Sequence, residues 1–272
     1  MKKYILNIIK LFFLVLLLTK CGKPVDITDR YTVSNGKVPP FSIEGLVVSG
    51  KGPHTVKILR TVAINSDQVI PVNNAIVTIS DNVQTDTLVF DGVDSYVSDT
   101  LNGIVGKSGT TYIMNAIVEG KNYVATSTMP LPLYPIDSVN FALRKDTKDN
   151  YIARLYAKVR TDIREYYMFL FYRNGVLQNE PDDVVFADNS QLNGYVNGIE
   201  TADDYKLGDE FKMKFFSIPK EGYDFYWGIQ AQLGNDGGVF STPPANVKGN
   251  ISGGALGLFQ ACYLIEYATV VK

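Results

Sequence analysis

The sequence predicts an all-β protein with two β-sandwich domains and at most one short helix, in the C-terminal domain. Short runs rich in β-branched and aromatic residues recur along the 272-residue chain, and turn residues separate them. No helical stretch interrupts the first series of runs, which favours a sandwich. Pro130, Pro132 and Pro135 lie within six residues, and strands and helices both tolerate proline badly. We therefore place the domain junction there.

Residues 1–20 predict a lipoprotein signal peptide. Lys2 and Lys3 give the chain a positive start, and residues 11–18 form an unbroken apolar run. That run is too short for a membrane span, which needs about 20 apolar residues, but it suits a signal-peptide core of about 7 to 15. Cys21 follows where a lipoprotein would receive its lipid. An ordinary signal peptide or a membrane-anchored amphipathic start is the alternative.

Residues 21–40 predict a flexible tether. The segment is polar, contains Pro24 and the Asn35-Gly36 pair, and ends in Pro39-Pro40. It shows neither helical nor strand periodicity, as is typical of a linker. Such a tether would hold the folded part away from a membrane and leave its orientation loose.

The N-terminal domain is predicted at residues 41–130. Its alternating or β-branched runs predict strands at residues 42–48, 55–62, 75–80, 86–90, 111–118 and 123–128. Residues 119–122 separate the last two runs and predict a hairpin turn.

The C-terminal domain is predicted at residues 131–272, and it also begins as antiparallel sheet. Strands are expected at residues 137–143, 151–161 and 165–173. Alternate residues from Tyr151 to Val159 are apolar, so they share one buried face. Asn174-Gly175 predicts a two-residue hairpin, because both residues tolerate the positive φ of a type I′ turn.

Two later segments of this domain have weaker signals. Residues 178–209 are polar and rich in glycine and asparagine, which resembles a long excursion between strands. Residues 217–233 alternate like a strand, yet Ser217 and Pro219 form a good helix start. We predict one short helix in this second segment.

Charge and cysteine content exclude some classes of partner. Cleavage after residue 20 removes four lysines and no acidic residue, which leaves 22 basic against 28 acidic residues and a net charge of −6. Such a surface repels phosphate backbones, so nucleic acid is not an expected partner. With Cys21 assigned to lipid, only Cys262 remains and no internal disulfide can form. We predict that Cys262 is a buried strand residue.

Candidate chemistry is sparse, and we predict that the protein is not an enzyme and holds no cofactor or metal. His54 is the only histidine, lies beside Gly52-Pro53, and is expected in an exposed loop. Zinc would have to use it with carboxylates alone. The acidic pairs lack the spaced loop that calcium requires, and paired carboxylates for glycoside hydrolysis are the alternative use of these residues. These pairs are Asp182-Asp183, Asp203-Asp204 and Asp209-Glu210.

Tyrosines in polar surroundings are the more plausible binding residues. Tyr96, Tyr195 and Tyr205 lie in segments that predict loops, where core packing explains them less easily. Their rings could stack on sugars or flat ligands. Local packing of each tyrosine on its own domain is the alternative, because tyrosine commonly bridges core and solvent.

The C-terminal glycines lie in the segment that carries a family resemblance. Gly249, Gly253, Gly254 and Gly257 predict turns or bulges where a side chain would clash, and the spacing of a phosphate-binding loop is missing. The surrounding segment, FSTPPANVKGNISGGALGLF at residues 240–259, resembles the ending of a Bacteroidota lipoprotein family catalogued as domain of unknown function 4249. Segments in the same order agree with it: FSIEGLVV at 41–48, PVNNAIVTI at 71–79, GTTY at 109–112, KNYVA at 121–125 and PIDS at 135–138.

The resemblance implies an outer-membrane lipoprotein whose N-terminal sandwich is immunoglobulin-like. Proteins of this kind are commonly encoded beside TonB-dependent receptors, so such a receptor is the expected partner besides the membrane. We therefore expect an accessory or ligand-capturing partner of a TonB-dependent transporter, on either face of the outer membrane. A stand-alone surface adhesin or glycan-binding module is the alternative function. The family supplies no catalytic motif.

Overall fold

The computed structural model describes residues 39–62, 68–178, 185–233 and 247–272. In its first part the strands are β1 Phe41–Val48, β2 Thr55–Arg60, β3 Ile76–Ser80, β4 Thr85–Phe90, β5 Ser95–Val97, β6 Thr111–Val118 and β7 Lys121–Thr128. The later strands are β8 Ile136–Leu143, β9 Tyr151–Lys158, β10 Tyr166–Arg173, β11 Val176–Leu177, β12 Val185–Asp188, β13 Tyr195–Glu200, β14 Glu210–Ile218 and β15 Leu256–Val270. Helix α1 spans Lys220–Leu233, and a 3₁₀ turn spans Asn189–Gln191.

The predicted fold class is confirmed: the protein is all-β and sandwich-like, with its α-helix in the C-terminal part. Each predicted strand has a counterpart within a few residues. The two predicted hairpin turns also form, because both pairs of central residues have positive φ. These φ values are 50° at Glu119 and 77° at Gly120, and 52° at Asn174 and 79° at Gly175.

Two sheets contain the strands of the part of the chain that the structure describes. The larger has twelve strands in the order β11-β10-β14-β15-β1-β2-β5-β4-β3-β6-β7, with β12 also pairing with β10. The smaller has three strands in the order β13-β9-β8. Within the described ranges, the strands pair antiparallel except for β1 with β15, which is parallel over Ser42–Val48 and Leu256–Cys262.

Strand β15 is shared between the two halves of the molecule. Its first part pairs with β1, and its second part pairs with β14 from Tyr263 to Val270. It is also the element that closes the N-terminal half, because the Ala261 backbone N–H donates to Ser127 Oγ of β7 at 2.9 Å. Completing the N-terminal half therefore requires the C-terminal strand. The domain division at residues 130 and 131 stays a prediction.

The free edge of β7 is covered by the segment that leads into β15. Ser252 and Val124 exchange two hydrogen bonds, of 2.8 Å from the Ser252 backbone N–H and 3.0 Å to Ser252 Oγ. Asn250 Nδ2 donates to the Thr126 carbonyl at 3.1 Å. Unpaired strand edges invite aggregation, and this cover satisfies the outward backbone groups of Val124 and the carbonyl of Thr126 instead.

Two hydrophobic cores follow from the alternation of residues along the strands. The first lies inside the N-terminal half and includes Ile43, Ile58, Tyr112 and Phe259, which are all fully buried. The second lies between the three-stranded sheet and β10, β14 and β15. Its centre is aromatic: the Phe169 and Phe215 rings stack with centroids 4.5 Å apart. Ala153, Leu155, Ala157 and Val159 contribute the buried face predicted for β9.

Helix α1 covers the opposite face of the large sheet. Pro219 precedes it, and Lys220 begins it, as the predicted helix start requires. A third cluster lies beneath the helix and includes Met168, Phe216 and Cys262. Cys262 is fully buried in β15, as predicted, and burial raises the pKa of its thiol.

Part of the predicted long excursion is regular structure. Residues 179–184 lie outside the described residues, but β12 pairs with β10 and β13 pairs with β9. Tertiary pairing therefore outweighs the turn-like composition of this segment, and the side chain of Val196 is fully buried. Among the described residues, no helix is long and apolar enough to cross a membrane.

Candidate functional site: a pocket between helix and sheet

A pocket of about 340 Å³ lies between α1 and the face of the large sheet that the helix covers. Its position follows from strand alternation: β1, β10, β14 and β15 each direct one set of alternate side chains to this face. The apolar walls comprise Leu46, Met168, Leu170, Phe216 and Leu258 from the sheet, and Phe225, Tyr226 and Ile229 from the helix. Concave, mostly apolar sites with a few polar groups are the usual form of small-molecule sites.

Gln260 is the most buried polar side chain that lines the pocket, with 4% relative exposure. Its Nε2 donates to the Tyr226 hydroxyl at 2.7 Å, whereas its Oε1 has no hydrogen-bond partner among the described residues. Gly222 allows this close approach of the helix, because a Cβ there would lie 2.5 Å from Gln260 Oε1. Burial raises the pKa of the Tyr226 hydroxyl, so it is protonated at neutral pH.

The remaining polar groups of the pocket are Glu44, Thr55, Lys57 and Ser95. Lys57 is not a free cation, because its Nζ lies 2.6 Å from the carboxylate of Asp94. Glu44 therefore leaves one negative charge that this ion pair does not neutralise. The pocket thus combines apolar walls with a weakly negative polar side.

The structure places two of the three predicted ligand-binding tyrosines in the core, so their expected exposure is wrong. Tyr96 is 2% exposed in β5, and its hydroxyl donates to the Val72 carbonyl at 2.9 Å. Tyr205 is fully buried and packs against Phe141 and Phe211. A buried ring has no face to offer a ligand, and polar neighbours in sequence did not reveal the packing.

Tyr195 is the exposed member of the set. It begins β13 and is 38% exposed. Desolvation and, to a lesser extent, the Asp137 carboxylate raise the pKa of its phenol. It lies in a different sheet from Tyr96, so the three tyrosines form no common site. Its ligand role stays a prediction. Cys21, the predicted lipid attachment site, lies outside the described residues, as do the signal peptide and most of the tether.

His54 is a core residue, and the prediction of an exposed loop histidine is wrong. Its side chain is fully buried, Nδ1 accepts from the Val48 backbone N–H at 3.3 Å, and Nε2 lies 2.9 Å from the Ile104 carbonyl. These partners require a neutral ring that carries its proton on Nε2. Desolvation lowers the pKa of His54, although the Ile104 carbonyl and Asp86 oppose that shift.

We expect His54 to make stability fall with acidity. Because its pKa is lowered in the folded state, the unfolded chain binds a proton first as the pH drops below about 6.5, at up to about 1.4 kcal/mol per pH unit. Urea unfolding at pH 7.5 and 5.5 measures this loss, and His54→Gln, which cannot titrate, should show a smaller one. Equal losses in the two proteins would contradict the prediction.

The acidic pairs serve the loops in which they lie. Asp204 forms an ion pair with Arg144 and accepts from Asn150 Nδ2 at 2.7 Å. Asp209 accepts from the Lys206 backbone N–H, which is the main cause of its lowered pKa. Asp182-Asp183 lies outside the described residues. No cluster of three His, Cys, Asp or Glu side chains suited to a metal occurs in the described part of the chain.

The sequence analysis did not predict the pocket residues, although two strands that line the pocket carry a recognisable pattern. Strand β10 reads YYMFLFYR, an almost continuous apolar run, and β14 is similarly apolar from Phe215 to Ile218. Continuous rather than alternating apolar character indicates a strand covered on both faces. That signal could have predicted a layer over the outer face of these strands, but not which residues leave a cavity beneath it.

Comparison with known proteins places the chain in a family. No curated protein matches it. The model of the family described as Domain of unknown function (DUF4249) matches residues 28–263, which includes all fifteen strands at least in part, the helix and every pocket residue. Because this match covers most of the chain, the protein belongs to the family of unknown function DUF4249.

Proposed function

We propose that this chain is a non-enzymatic lipoprotein of a bacterial outer membrane that captures a small ligand for a TonB-dependent transporter. The pocket under α1 carries the proposal. It has apolar walls, few polar groups, and a floor of paired strands that hold its residues in place. Rigid elements of this kind support a preorganised binding site.

The membrane half of the proposal rests on the N-terminal sequence. A short apolar segment after a positive start and before Cys21 fits a lipoprotein of the Bacteroidota type. Acyl chains on Cys21 would contribute about 0.8 kcal/mol for each methylene that enters the bilayer. Anchoring in the membrane would place the pocket near transporters of the same membrane. The length of the tether would limit how far the pocket can lie from the bilayer.

One purification tests anchor and partner together. Cells that express a TonB-dependent receptor from the adjacent gene are fed a labelled fatty acid, and the chain is isolated in mild detergent. We expect label on the wild-type chain and none on Cys21→Ala, with the receptor recovered alongside the wild type. Equal labelling of both chains would refute the anchor, and absence of the receptor would contradict the transporter partnership.

A stand-alone adhesin or glycan-binding module is the second candidate. The observation in its favour is the ring of Tyr195, which is 38% exposed at the start of β13. Exposed aromatic rings stack on the apolar faces of sugars. A glycan array separates the two functions, since binding that is lost in Tyr195→Ala would support the adhesin, and binding to no glycan would leave the transporter accessory favoured.

A further inference from the structure

An exposed cluster of aromatic rings lies on a stripe of α1 separate from the one that lines the pocket. Its members are Phe186 of β12 and Tyr223 and Trp227 of the helix. Trp227 is the only tryptophan of the chain, and it is 58% exposed. A contiguous exposed patch of large apolar rings commonly marks a binding site. We therefore asked which ligand its surroundings suit.

The packing of the three rings leaves much of the indole of Trp227 in contact with solvent. Tyr223 and Trp227 lie one helical turn apart, and their ring planes differ by 17° with centroids 6.3 Å apart. Rings in full face-to-face contact would have centroids about 3.5 to 4 Å apart, so Tyr223 covers the indole only in part. Phe186 meets the indole at 89° with a centroid distance of 6.0 Å. The two neighbours thus support Trp227 without enclosing it.

An ion pair with spare hydrogen-bond donors lies beside the cluster. Asp188 follows Phe186 by two residues in β12, so both side chains extend from the same face of the strand. The Asp188 carboxylate is 2.9 Å from Arg164 Nη2. The Arg164 side chain is 51% exposed, so its other N–H groups can donate to a ligand. Arg164 also lines a polar cleft of about 390 Å³, together with Thr161 and Asn193.

The charges around the cluster favour an uncharged ligand. Both nearby cations already have a carboxylate partner, in the pairs Arg164–Asp188 and Lys220–Asp224, and the exposed Glu221 adds a negative charge. An anion would therefore be repelled without a spare cation to compensate. A bilayer that covered the rings would also remove ion pairs from water, which is costly. Hydroxyl groups can instead hydrogen-bond to the guanidinium and the carboxylates where they stand.

We propose that this cluster is a binding site for an uncharged saccharide. A sugar ring stacks its apolar face on Trp227, hydroxyls of the same or the next sugar accept from Arg164, and further units extend into the polar cleft. Saccharides combine an apolar ring face with a rim of hydroxyls, which is the combination that the rings and the ion pair offer. Trp227 and Arg164 do not line the pocket under α1, so either site can exist without the other.

An array of immobilised glycans tests the site. Residues 39–272 form a compact unit of their own, so the chain from residue 22 onwards can be studied without its lipid. We expect it to bind neutral glycans and not sulfated or sialylated ones. Titration with a bound glycan should change tryptophan fluorescence saturably, and this signal reports only on Trp227. Binding to no neutral glycan, or binding without a fluorescence change, would overturn the proposal.

Three variants locate the contact, and circular dichroism confirms that each folds. Trp227→Ala should weaken glycan binding about tenfold or more. Arg164→Lys keeps the charge beside Asp188 but loses the planar fork, and it should weaken binding about fivefold. Tyr195→Ala removes an exposed ring of the other sheet and should leave binding unchanged.

Two results would assign the rings a different role. Glycan binding that is lost in Tyr195→Ala and kept in Trp227→Ala would overturn the site. A fluorescence response of Trp227 to phosphatidylcholine vesicles but to no glycan would also overturn it, and would identify the cluster as a membrane contact. Ligand capture by the pocket would stand in either case, because its residues are different ones.

Discussion

Gly257→Ala is expected to lower the free energy of unfolding by about 4 kcal/mol or more, which is among the largest effects of a single substitution. Gly257 has φ 111°, and a Cβ there would lie 2.0 Å from the carbonyl oxygen of Ile43 in β1. Relief of that clash would have to separate β1 from β15, the pairing that ties the C-terminal strand to the N-terminal half. Urea denaturation followed by circular dichroism measures the loss.

Gly254→Ala is the matched control for this prediction. Gly254 has φ 79°, but a Cβ there meets nothing within 4 Å. Its substitution should cost only the backbone strain of about 1 kcal/mol. Similar losses for the two alanine variants would mean that the close approach of β1 and β15 does not hold the halves together.

Glu165→Ala is expected to cost about 3 kcal/mol, because it removes the buried partner of a largely covered guanidinium and leaves that charge uncompensated. Glu165 is 6% exposed and forms an ion pair with Arg160, whose side chain is 17% exposed. The Tyr167 hydroxyl donates to the same carboxylate at 2.7 Å. Desolvation is the main cause of the raised pKa of this tyrosine, and the hydrogen bond to Glu165 is the second. Urea denaturation at pH 7.5 measures the loss.

Two further variants separate burial from charge pairing. Glu165→Gln keeps an acceptor for the Tyr167 hydroxyl and should lose less stability than Glu165→Ala. Glu200→Ala breaks the exposed pair with Arg154, in which both side chains are more than 40% exposed. It should cost less than about 1 kcal/mol. A Glu200→Ala loss as large as that of Glu165→Ala would contradict the role assigned to burial.

Local patterns predicted most of the fold because the features they report are local. Period-two alternation identified nearly all of the strands before residue 174, and positive-φ turn residues identified two hairpins. The same reasoning predicted a strand at Cys262 but gave neither the bounds of β15 nor its partner, because β1, with which it pairs, lies more than 200 residues away in sequence. Long-range pairing of this kind leaves little trace in a single strand's composition.

Single residues in polar surroundings were the least predictable part of the candidate site. His54, Tyr96 and Tyr205 all neighbour turn residues, yet all three are buried, because the burial of a side chain depends on what folds over it. His54 is covered through its contacts with Val48 and Ile104, and Tyr205 through Phe141 and Phe211. The pocket itself arises only where α1 lies over strands from both ends of the chain.

Whether the pocket under α1 binds ligand is tested most directly with Nile red, an uncharged dye that reports occupancy by fluorescence. The quantity to measure is its dissociation constant for the chain from residue 22 onwards. Leu46→Trp/Leu170→Trp adds bulk at two partly exposed wall positions, and Leu143→Trp adds it at a half-exposed position of β8, away from the pocket. We predict saturable binding that the double variant weakens about tenfold or more and that Leu143→Trp leaves unchanged. Equal dissociation constants for all three proteins, or no saturable binding by the wild type, would contradict the account.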